Sequence, residues 1–151
     1  MELGDLYTEV ITQYSRSKKH RCPLSQPDVT MRGVNPSCGD DITLELAAKG
    51  GIIQKAAISG SGCALSEASA AIMAGLIEGK STGEAERLAG LFLGMIRRDI
   101  TDEGALEELQ DAQALQNISN MPARVKCATL AWHTLEEALK KLKASFPEPA
   151  D

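Results

Sequence analysis

With 151 residues the chain is long enough to bury one core without disulfide or metal staples. Apolar residues make up 43% and charged ones 25%, ordinary for a globular protein, while aromatics at 3% leave the core to Ala, Leu, Ile and Val. A formal net charge of −5 argues against a nucleic-acid binder, which calls for a basic face, and no apolar run is long enough to span a bilayer.

The opening MELGDLYTEV does not have the pattern of a signal peptide, so a single domain over 1–151 in the cytoplasm is expected. In a reducing compartment four cysteines read as ligands, nucleophiles or small buried hydrophobes, not as a disulfide framework. Nothing marks an obligate interface, and a monomer is expected.

Leu3, Leu6, Tyr7, Val10, Ile11 and Tyr14 form an apolar stripe that predicts a helix over residues 3 to about 15. The basic run SRSKKH suits its C-terminus, and the two prolines of PLSQP predict a loop after it. His20 in this exit reads as a solvated side chain, and nothing around Cys22 resembles a site.

Val29, Met31 and Val34 predict a short extended piece leading into NPSCGD, residues 35–40. Ile42, Leu44, Leu46 and Ala48 then alternate with Thr43, Glu45 and Ala47, the pattern of a half-buried strand. Gly50-Gly51 predicts a two-residue hairpin turn, with Ile52 to Ser59 as the returning strand.

From Cys63 onward the chain reads as helical. An Ala-rich helix runs to Leu76, and Ser81 with Glu84 has the capping-box spacing for the next. That helix buries Leu88, Leu91, Phe92, Met95 and Ile96. An acidic helix is expected over 101 to about 116, with Leu106, Leu109 and Leu115 as a thin stripe. Pro122 opens the last helix, through Trp132, Leu135, Leu139 and Leu142, before FPEPAD frays. The fold class is α+β: a small, mostly antiparallel sheet succeeded by helices.

Chemistry concentrates at three places. Cys38 lies between a Pro–Ser pair and Gly39, on backbone suited to exposing a thiol, with Asp40 two residues on. Cys63 comes after SGSG at a strand-to-helix junction, where backbone N–H groups and the positive helix end lower a thiol pKa. Cys127 lies near the start of the last helix, with Arg124 and Lys126 expected to act in the same direction. Cys38, Asp40, Cys63 and Cys127 are therefore candidate ligands of one Zn²⁺, gathered by tertiary structure because no CxxC pair is present.

Competing readings are a purely structural zinc domain and a Cys–His hydrolase, for which only His20 and His133 are available as bases. His133 itself reads as a surface residue.

NPSCGD, GSGCALSEASA and PARVKCATLAW, in that order, resemble the three signature blocks of the SufU branch of the IscU/NifU-N superfamily, which serves iron–sulfur cluster assembly. The likeness covers nearly the whole chain. It implies a SufE/NifU-like fold, a three-stranded sheet packed against about five helices on one side, and metal ligation by Cys38, Asp40, Cys63 and Cys127. It further implies a zinc-dependent sulfurtransferase in which Cys38 accepts persulfide sulfur from a SufS-type cysteine desulfurase, with pyridoxal phosphate on that partner. Arg124 matches the family's arginine near the site. The alternative within the family is an IscU-like scaffold carrying iron or a [2Fe–2S] cluster on the same ligands. IscU-type scaffolds have His before the last cysteine where this chain has Lys126, and the acidic stretch from Arg97 to Ile118 looks like the SufU insertion. Both differences favour the sulfur carrier.

Overall fold

The computed structural model describes residues 9–145. Helix α1 (Glu9–Arg16) precedes a loop and three strands, β1 (Val29–Asn35), β2 (Asp40–Lys49) and β3 (Ile52–Ser61). Helices α2 (Ala64–Ile77), α3 (Thr82–Arg97), the single-turn α4 (Glu103–Leu106), a 3₁₀ stretch (Glu107–Asn120) and α5 (Pro122–Ser145) complete the chain. Leu3, Leu6 and Tyr7 of the expected first helix, and the FPEPAD end, lie outside the described residues.

The strands form an antiparallel sheet in chain order, β1-β2-β3. Gly50 and Gly51, at φ +61° and +78°, close the β2–β3 hairpin as expected. The extended piece before NPSCGD is a full strand, paired from Val29↔Leu46 to Asn35↔Asp40, so the motif is the tip of a second hairpin. Along β2, Asp40, Ile42, Leu44 and Leu46 are buried while Asp41, Thr43 and Glu45 face outward. That alternation decides the fate of two adjacent aspartates. Asp40 turns into the molecule, and Asp41 meets Arg32 on the solvent face through two hydrogen bonds of 2.9 and 2.6 Å.

Helix α2 is buried on nearly every side, from Leu65 through Ile77, which marks it as the central helix. It is tied to α5 by a polar chain inside the core: Trp132 Nε1 donates to Ser69 Oγ at 2.9 Å, and Ser69 donates to the Ala128 carbonyl at 2.6 Å. Phe92 of α3 stacks on Trp132, with ring centroids 4.1 Å apart. On the sheet side α5 crosses β1 at Gly33, where a β-carbon would stand 2.1 Å from Thr134 Oγ1. These contacts fix the middle of α5 against both α2 and the β1–β2 hairpin.

Two expectations are corrected. The acidic stretch is not one α-helix: after α4 it continues as 3₁₀ turns, interrupted at Gln110 (φ 49°, ψ −125°). Its buried residues are Leu106, Leu109, Ala112, Leu115 and Ile118, a spacing of three that eclipses side chains on a 3₁₀ helix and would drift around an α-helix. His20 is not solvated but 9% exposed, with Nδ1 3.6 Å from Glu78 Oε1 and its carbonyl accepting from the Ile58 N–H at 2.7 Å. The loop carrying it thereby covers the edge of β3.

Candidate metal centre

Each arm of the site has a local reason for its conformation. At the hairpin tip the Cys38 N–H reaches the Asn35 carbonyl at 3.3 Å and the Gly39 N–H reaches that of Pro36 at 3.4 Å. Gly39 takes φ +71°, which a side chain would strain, and so returns the chain to β2 immediately after the cysteine. The Cys38 thiol is half-buried. Asp40, the first residue of β2, is fully buried. Its Oδ1 accepts from the Cys63 N–H at 3.0 Å and its Oδ2 from Asn35 Nδ2 at 3.3 Å.

Cys63 is the N-cap of α2, and its sulfur accepts from the Ser66 N–H at 3.4 Å. The sulfur thus lies at the positive end of a helix of fourteen residues. The approach of Asp40 to this cap requires Gly62, where a β-carbon would lie 2.7 Å from Asp40 Oδ1 and 3.1 Å from Ser66 Oγ.

Cys127 is fully buried in the second turn of α5, and its thiol lies 3.0 Å from the Cys38 sulfur. Burial, then the thiols of Cys38 and Cys63, then the charges of Cys63 and Asp40 push the Cys127 thiol well above its ordinary range. The expected lowering by Arg124 and Lys126 is thus outweighed: Lys126 points to solvent, and desolvation dominates at a fully buried sulfur. Arg124 is half-buried three residues before Cys127, the spacing that puts two residues on one helix face.

Ligand atoms of Cys38, Asp40 and Cys127 all lie within 4.8 Å of one another. Cys63 falls outside this trio and borders it, through the bond from its own N–H to Asp40. Cys22 is exposed and stands outside the group, and His133 is half-exposed beside Glu136. A sulfur from a turn, a carboxylate from a strand start and a sulfur from a helix interior form a group that could hold a metal ion, with the sulfur of the helix cap bordering it. Ser66 escaped the sequence reading: its hydroxyl is buried at the same place without a hydrogen-bond partner. The only signal was its position at the third residue after the capping cysteine.

The chain matches the model of the NifU-like N-terminal domain over residues 6–146. It belongs to that family. It is 42% identical over 137 residues to the iron–sulfur cluster assembly scaffold protein IscU of Thermotoga maritima, covering 91% of this chain and 94% of the relative. It is 36% identical over 139 residues to the zinc-dependent sulfurtransferase SufU of Bacillus subtilis, covering 92% of each. A solved SUF-system protein of Fervidobacterium islandicum AW-1, described as a cluster assembly scaffold, superposes with a TM-score of 0.84 at 34% identity, covering 91% of this chain and 99% of that one. The three-stranded antiparallel sheet with five α-helices is the architecture of this NifU-like family.

Proposed function

We propose that this family member works in iron–sulfur cluster assembly as a zinc-dependent sulfurtransferase, taking persulfide sulfur from a SufS-type cysteine desulfurase onto Cys38. The observation that carries the reading is an asymmetry among the four candidate ligands. Asp40 and Cys127 are fully buried on regular elements, and Cys63, half-buried like Cys38, is fixed as the cap of α2, whereas Cys38 lies on a hairpin tip. A sulfur on a turn can be presented to a partner more readily than one held in a strand or within a helix, which supports Cys38 as the acceptor.

In this reading Cys38, Asp40, Cys63 and Cys127 hold Zn²⁺, which when bound keeps its thiolate ligands deprotonated and screened. The fit rests on the donor set, on the glycine cradle at Gly62, and on the unpartnered Ser66 hydroxyl beside it. Gly39 lets the tip move while β2 keeps Asp40 in place. The Cys38 thiolate attacks the outer sulfur of the desulfurase persulfide, forming a new S–S bond on Cys38 as the partner's S–S bond breaks and its cysteine leaves as thiolate. Arg124, on the Cys127 side of α5, offsets the negative charge of three sulfurs and a carboxylate. Lys126 in place of the histidine of IscU-type scaffolds supports the carrier role.

A second reading, a scaffold assembling a [2Fe–2S] cluster on the same ligands, is favoured by the name of the 42%-identical relative. One preparation separates the two. The carrier purifies colourless with stoichiometric zinc, and Cys38→Ala keeps its fold while failing to stimulate desulfurase turnover. A brown protein with visible absorbance, or full stimulation by Cys38→Ala, overturns the carrier reading.

A further inference from the structure

We infer that Ser66 is a positioning residue for Asp40, its hydroxyl reserved for the ligand carboxylate when metal is bound; the inference rests on the metal-centre reading above. Among the described residues, Ser66 Oγ is the buried side-chain oxygen with no hydrogen-bond partner, in a residue only 1% exposed. Buried hydroxyls are nearly always paired, because an unpaired one forfeits its hydration without return. An orphan beside a candidate metal site therefore calls for a partner that the metal-free protein does not supply.

Geometry names the partner. Asp40 Oδ1 and Ser66 Oγ press against the same glycine, at 2.7 and 3.1 Å from the point where a β-carbon of Gly62 would stand. Without metal, Oδ1 is held by the Cys63 N–H alone and Oδ2 by Asn35. A carboxylate oxygen has room for a second donor. Ser66 is anchored for the task, since its own N–H already bonds the Cys63 sulfur and its helix is buried on nearly every side. Ligating carboxylates are regularly steadied by such outer hydrogen bonds, and their loss weakens metal affinity about 10- to 100-fold. Here the bond keeps Asp40 in place during excursions of the hairpin tip.

The hydroxyl's role has a signature of opposite signs. A hydroxyl that is unpaired in the metal-free protein and paired in the loaded one gives Ser66→Ala a metal-free melting temperature equal to or above wild type. The same variant binds Zn²⁺ about tenfold or more weakly in competition with a chromophoric chelator. Ser66→Thr, which keeps the hydroxyl, restores affinity. In an Asp40→Ala background, which removes the accepting oxygen, the effect of Ser66→Ala on zinc affinity disappears, as expected when two residues act through one contact. Unchanged zinc affinity in Ser66→Ala makes the hydroxyl a water-bridged bystander and overturns the inference. So does a lower metal-free melting temperature or a failure to fold, which assigns it a structural bond. If the wild-type chain itself takes up no zinc, the metal-centre reading has failed instead.

Discussion

Cys38 and Cys127 meet at 3.0 Å although 89 residues separate them in sequence, and this contact is the sharpest product of the fold. Each of these cysteines stood out as a candidate ligand from its neighbours, as did Asp40 from its place after Cys-Gly. Their meeting did not, because it depends on α5 crossing β1 at Gly33. Two outcomes are expected at the residue scale. Mild oxidation of metal-free protein with diamide, which takes up the two hydrogens, will join Cys38 to Cys127 and leave Cys22 free; peptide mapping under non-reducing conditions reads the pairing. Gly62→Ala will drive a methyl into Asp40 Oδ1 and Ser66, destabilising the protein by about 1–3 kcal/mol in a denaturant titration and weakening zinc uptake together. His20 marks the limit of local reading. Its basic surroundings suggest solvation, whereas elements distant in sequence, Glu78, Gly75 of α2 and the edge of β3 among them, lie against it.

Among the elements, the β2–β3 hairpin and helices α2, α3 and α5 were legible because alternation, capping and apolar periodicity agreed, whereas the β1–β2 hairpin was read only as a short extended piece. At the start of α3 the agreement is partial. Ser81 Oγ accepts from the Glu84 N–H at 3.0 Å as a cap should, but the Glu84 carboxylate turns to Arg87 instead of closing the box. Ser81→Ala is therefore expected to cost about 1 kcal/mol in thermal or denaturant unfolding, and Glu84→Gln much less. The stretch from Leu106 to Ile118 was not legible, because three apolar residues look like a helical stripe until Ala112 and Ile118 complete the period of three. This stretch is tied to α1 by Tyr14, whose hydroxyl donates to Asp111 at 2.6 Å. That bond, then burial, then the Asp111 charge push the Tyr14 pKa up to about 12. Because the folded value is raised, the bond's contribution is fully present below the unfolded pKa of about 10 and is lost as pH rises through the folded one. Tyr14→Phe should lower stability by about 1 kcal/mol at neutral pH, with the gap to wild type closing in the most alkaline melts.

At the scale of the whole molecule, the fold brings one turn-borne sulfur to two fully buried candidate ligands and a helix cap. The sheet supplies the tip bearing Cys38 and the strand bearing Asp40, α2 supplies the cap, and α5 carries Cys127 in from the far end of the chain. Family resemblance indicated this gathering, whereas spacing alone could not, since no two of these three cysteines are near each other in sequence. The folded chain adds burial and register to this picture: β1 ends at Asn35 and β2 starts at Asp40, so Cys38 lies on the turn while Asp40 and Cys127 are fully buried. The most direct test is to incubate the zinc-loaded protein with a SufS-type desulfurase and cysteine, remove the partner, alkylate, and locate the added sulfur by peptide mass spectrometry. The account predicts one extra sulfur on the peptide containing Cys38. Sulfur found on Cys63 or Cys127 instead, or on none of the cysteines while a cluster forms, would contradict it.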